Sequence, residues 1–167
     1  MAVTMHQLSA ALFSRHLNGL AGCLKKAQAL YSEKKFDEVT LLNYRLFPDM
    51  FNFAKQVQIA TDHARKCTAM LAGQEPPAYE DNEKSLAELL ARVEKTLAYL
   101  NAVKAEQING TEEKSVIVKG RDRDVTFSGI DLVLNRSLPN FYFHVTTAYD
   151  ILRHNGVALG KKDFMGG

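Results

Sequence analysis

Four long stretches of this chain repeat apolar residues at helical spacing, and that repetition points to an all-α fold. The last of them, Leu138–Gly156 (LPNFYFHVTTAYDILRHNG), is the most constraining. On a helical wheel Asn140, His144, Thr147, Ala148, Ile151 and Asn155 share one arc, flanked by Phe141 and Phe143. Polar groups at i and i+4 framed by apolar ones suit a site inside a helix bundle, and equally a hydrogen-bonded core.

The other three stretches come earlier. Over residues 4–31, Leu8, Leu12, Leu20, Leu24, Ala27 and Tyr31 keep a helical period, and His16 falls inside the apolar arc. Residues 32–48 form a connection in which Asp37 is placed to cap a short turn through Leu42. Residues 49–72 form the second helix, started by the turn and cap of Pro48-Asp49 and stopped by Gly73 and Pro76-Pro77. Gln56 and His63 border its apolar arc, while Gln58 and Asp62 fall opposite and read as surface. Residues 82–105 carry a dense leucine face and read as purely structural. Ser115–Lys119 and Asp124–Ser128 are β-branched or alternating around Gly120-Arg121-Asp122-Arg123, the pattern of a small hairpin. The final helix runs over 130–155, with Pro139 expected to kink or divide it and Gly156 to end it. The tail is too short for an element of its own, with Phe164 expected to pack back on the bundle. A four-helix bundle with a small β-hairpin before the last helix follows, as one domain over residues 1–167.

Composition narrows the function. With 167 residues the chain can bury a sizeable core. The net charge of +2 spreads over nearly balanced acids and bases, so no basic stripe points to nucleic acid. No apolar run reaches the roughly 20 residues of a membrane span, and the N-terminus lacks the pattern of a signal peptide. A cytoplasmic protein with no membrane partner is the expectation. Cys23 and Cys67 form no CxxC or zinc spacing and read as small buried thiols.

Three of the four long helices place polar groups on or beside their apolar arcs: His16, then Gln56 with His63, then Asn140 with His144. Buried, these groups need hydrogen-bond partners, and gathered at one level they would make a polar ligand pocket. Zinc or nickel would favour imidazole, thiolate or carboxylate, yet the residue one turn before His144 is the amide Asn140. An internal, hydrogen-bonded His144 is therefore favoured over a metal ligand. Nucleophile elbows, phosphate loops and dinucleotide glycine patterns are absent, and no catalytic residue is assigned. Tyr142 and Tyr149 lie on the far side of the last helix from His144, with Arg153 between them. That side implies contact with the hairpin, the tail or a second subunit, and a homodimer is the expected assembly.

Leu42–Asp62, Leu138–Gly156 and Gly160–Phe164 resemble an uncharacterised bacterial family of domains of unknown function related to the DinB/YfiT-like metalloenzymes. The resemblance spans nearly the whole chain and implies a DinB-type four-helix bundle, often dimeric. It also implies a divalent metal, Zn or Ni, held by one histidine on helix two and two at i, i+4 on helix four. Here His144, Leu152-Arg153 and Gly156 match the helix-four spacing, but the other two ligand positions fall on Asn140 and near Gln56. One histidine of three remains. Three functions follow from the resemblance and this departure. The first is a degenerate metal cleft that binds a small ligand or partner. The second is a thiol-transferase or isomerase with altered ligands, in which His16 or His63 replaces the lost ones. The third is a dimeric structural or stress-response interaction protein.

Overall fold

The computed structural model describes residues 2–120 and 122–166. Its frame is four long helices: α1 (Leu12–Lys34), α3 (Phe53–Ala72), α4 (Leu86–Ala102) and α7 (Leu138–His154). α1 rests against α4 and α7, and α3 rests against the same two. Successive long helices α1 and α3 thus lie across the diagonal of the bundle, as the long connection between them permits. Short pieces complete the fold: α2 (Glu38–Asn43), α5 (Ala105–Ile108), α6 (Gly129–Asp131) and α8 (Lys161–Met165). The core is apolar and continuous, with Phe13 of α1 meeting Phe141 of α7 edge-on at 4.9 Å between ring centres.

The helix ends follow local chemistry. Asp37 caps α2 by accepting from Val39 and Thr40 N–H, as its position predicts. α3 begins later than expected, because residues 47–50 close a turn of their own through Met50 N–H and the Phe47 carbonyl. Asn52 rather than Asp49 is then the cap, accepting from Lys55 N–H. Gly73 (φ +70°) and Gly156 (φ +88°) take the left-handed conformation just past α3 and α7.

Pro139 does not divide the last helix. α6 leads into a π-helical stretch, Leu132–Ser137, and α7 continues from it, with Leu138 N–H bonded to the Val133 carbonyl five residues back. The wider turn relieves the clash a proline ring makes with the carbonyl four residues before it, and Pro139 sits in the first turn of α7.

The hairpin is present as expected. β1 (Val116–Val118) pairs antiparallel with β2 (Val125–Phe127), Ile117 opposite Thr126. Val116 and Val118 are buried against the bundle and Ile117 faces outward. Arg121, in the expected turn, lies outside the described residues.

One expectation about α3 is corrected: Gln58 is buried and Asp62 half-buried, because α4 and the 73–85 loop cover that side of α3. Buried Arg92 of α4 donates to Thr61 Oγ1 (2.8 Å), Asp62 (3.0 Å), Glu83 (2.9 Å) and the Glu80 carbonyl (3.0 Å), and pairs with Asp81 (3.0 Å). Gln58 donates to Glu83, and Arg65, Arg92 and Lys95 all lie over the Tyr79 ring. The loop is thereby tied to the bundle by charge.

The tail also forms an element. α8 packs on α1, its Phe164 ring against His16 and Tyr149. The aromatic side of α7 thus meets the chain's own tail. The approach of α8 to α1 is close: a Cβ on Gly19 would stand 2.7 Å from the Asp163 carbonyl oxygen and 2.8 Å from that of Phe164. Gly22, three residues on, has nothing within 4 Å of such a Cβ. Gly19→Ala is expected to destabilise by about 1–3 kcal/mol through overpacking. Gly22→Ala should be neutral or stabilising by up to about 1 kcal/mol through helix propensity. Urea midpoints of the two variants check the contrast, and equal midpoints would contradict the packing.

Candidate functional site

The site begins with two buried polar side chains on facing helices. Gln56, in the first turn of α3, is 1% exposed, and His144 of α7 is 8% exposed. The Gln56 amide nitrogen donates to the Phe51 carbonyl at 3.0 Å. Its oxygen is left to face His144 Nδ1 at 2.7 Å. An amide oxygen only accepts, so Nδ1 carries the proton and donates. Burial lowers the His144 pKa, which keeps the ring neutral and leaves Nε2 with a free lone pair.

His63, two turns further along α3, completes the group. Its ring lies parallel to that of His144, within 13°, at 6.2 Å between centres, and Phe143 meets His144 edge-on at 5.2 Å. Burial foremost, then the neighbouring His144, Arg136 and Lys66, push His63 down to about 4. Both imidazoles are neutral at neutral pH.

The other expected residues lie elsewhere. Asn140 is exposed, and its amide nitrogen donates to the Arg136 carbonyl of the preceding turn at 2.7 Å. His16 belongs to the contact with the tail: its Nδ1 is 3.4 Å from the Phe164 carbonyl oxygen, and its ring meets Tyr142 edge-on at 4.9 Å. Of the five residues read as a pocket, the fold gathers Gln56, His63 and His144. Cys23 and Cys67 are both buried free thiols, pushed up by burial to about 11 and about 12, and neither is a ready nucleophile.

This donor set does not fit a divalent ion of the DinB type. Gln56 spends its oxygen on His144 Nδ1 and offers no ligand atom, and His144 keeps a single lone pair, on Nε2. Among the described residues, no three His, Cys, Asp or Glu side chains are grouped to hold a metal.

Beside this group lies a cavity of about 610 Å³, bounded by α3, the hairpin, the π-helical stretch and residues 74–76. His63 is part of its wall, so the cavity adjoins the buried pair through that ring. The π-helical stretch contributes Leu132, Arg136 and Ser137; α3 contributes Ile59 and Lys66; β1 and the residue after it contribute Val118 and Lys119. The charged members of this wall escaped the reading of the sequence. Pro139 was the available signal, since a proline in a long apolar helix marks an irregular turn just before it, where side chains leave the regular arc.

The model of the domain of unknown function DUF1993 matches residues 5–165. No curated protein matches. A solved structure, described as a DinB family member protein from Shewanella denitrificans, is 38% identical, superposes with a TM-score of 0.87, and is matched over 97% of this chain and 92% of its own. The chain belongs to the DUF1993 family, a DinB-like family of uncharacterised helical domains.

Proposed function

We propose that this chain is a binding bundle that accepts a small molecule in the cavity beside His63, in place of the three-ligand metal chemistry its resemblance implies. The observation that carries the reading is the 2.7 Å bond between Gln56 and His144. It takes the Gln56 oxygen out of any ligand set and leaves His144 a single ring nitrogen. The third expected ligand position, Asn140, is bonded to its own helix. What remains is a neutral polar wall and an adjoining cavity of about 610 Å³, within the range of small-molecule sites. The cavity is lined by both polar or charged groups and apolar side chains, the mixture that small-molecule sites use. The nearest thiol, Cys67, is held protonated, so the site supports recognition rather than covalent chemistry.

Metal content tests the reading. Untagged protein purified without chelators, incubated with excess zinc or nickel and then dialysed, is expected to retain well under one ion per chain. One ion per chain, lost in His144→Ala, would overturn the reading in favour of the enzyme with altered ligands.

The neutral histidine wall has a signature in stability. His63 binds its proton at about 4 in the folded protein and near 6.5 when unfolded. Between these values the unfolded chain holds more protons, so stability falls as pH drops from about 6.5 toward 4, by up to about 1.4 kcal/mol per pH unit, and levels off below. His16 and His144 shift in the same direction. The lowered carboxylates Asp37, Asp62 and Asp163 lose their contribution only below about 3.8, outside this window. Urea midpoints measured from pH 7 to 4.5 should fall in the native chain and fall less steeply in His63→Leu. Identical slopes in the two would contradict the placement of His63.

A further inference from the structure

The cavity beside His63 has an uneven charge. Its wall holds Lys66, Lys119 and Arg136 against Asp62 and Glu75, so three cations and two carboxylates leave one positive charge in excess while His63 is neutral. The acids and bases are also unequally engaged. Asp62 accepts from Arg65 (2.7 Å), Arg92 (3.0 Å) and Lys66 (2.6 Å), so its charge is offset within the bundle and Lys66 is held to it. Glu75 is exposed. Arg136 is half-buried, its guanidinium 5.7 Å above the Phe127 ring, and neither it nor Lys119 has a carboxylate partner among the described residues.

The rest of the wall is apolar. Ile59 and Met70 of α3, Leu132 of the π-helical stretch and Ile117 and Val118 of β1 line it. A guanidinium parked on an aromatic ring is partly oriented before a ligand arrives, and its planar fork matches a carboxylate. One excess charge matches a monoanion better than a phosphate dianion. The positive field of Arg136 and Lys66 is felt at His63, which shares the same lining.

We infer that the cavity binds a small amphipathic carboxylic acid, its carboxylate on Arg136 with Lys119 and its apolar body along Ile59, Met70 and Leu132. This rests on the proposed binding function and adds the chemical class of the ligand. The π-helical turn forced by Pro139 acquires a role on this reading, since it is the element that presents both Arg136 and Leu132.

NMR titration of the full chain near pH 7 with octanoate, neutral octanamide and octylammonium tests it. Octanoate is expected to shift the signals of His63, Ile59 and Leu132. Octanamide should bind about tenfold more weakly, the scale of one charge-assisted hydrogen bond, and octylammonium not at all. Arg136→Gln should bring octanoate down to the level of octanamide and leave octanamide unchanged, and Arg136→Lys should keep a preference for the acid. Should Arg136→Gln fail to fold, Lys119→Gln removes an exposed charge and should weaken octanoate alone. Equal binding of acid and amide, tighter binding of the ammonium, or no loss in the charge variants would overturn the ligand class while leaving the binding cavity intact. No shift at His63 with any of the three probes would overturn the cavity reading itself.

Discussion

An imidazole and a carboxamide can share the inside of a bundle only when each finds a partner there. Between α3 and α7 they do: Gln56 accepts from His144 on one side and donates to the Phe51 carbonyl on the other. A buried polar atom without a partner costs on the order of 1–3 kcal/mol, so the chain of bonds from Phe51 through Gln56 to His144 sets how the two helices register. It also sets the chemistry. The amide fixes which imidazole nitrogen holds the proton, burial keeps the ring neutral, and the His63 ring lies nearly parallel to it at 6.2 Å between centres.

α3 carries a second network on its other side. Thr61, Asp62 and Arg65 meet Arg92 of α4, and Arg92 reaches out to the 73–85 loop through Asp81 and Glu83. Buried ion pairs contribute little net stability against apolar replacements, so their value here is positional. They hold the loop whose residues 74–76 form one side of the cavity. Another part of its lining comes from the π-helical stretch before Pro139. Two departures from an ordinary bundle, a buried arginine and a widened turn, thus frame the same space.

Much of the fold was legible in the sequence where the signal was local or periodic. The apolar period gave the four long helices, Asp37 and Gly73 marked a cap and a stop, and β-branched runs marked the hairpin. The misreadings have separate physical causes. The helical wheel assumes one buried face, yet α3 packs against both α4 and α7, so Gln58 and Asp62 are covered by partners a single-helix view omits. The wheel placed Asn140 with His144, but the carbonyl of Arg136 satisfies its amide at the start of α7. The cap of α3 moved from Asp49 to Asn52 because residues 47–50 close their own turn. For the site, Gln56, His63 and His144 were legible as polar residues beside apolar arcs. The cavity was not, because Arg136, Lys119 and Lys66 come from three elements and converge only in the folded chain.

The proton on His144 is the most direct measure of this account. In a spectrum correlating the imidazole nitrogens with the ring protons, recorded near pH 7 with and without one equivalent of zinc, His144 should be neutral. Its proton should sit on Nδ1, and its nitrogen shifts should be unchanged by the metal. A proton on Nε2 would contradict the hydrogen-bonded pair, and a zinc-induced shift at Nε2 would contradict the reading of the site as one without a metal.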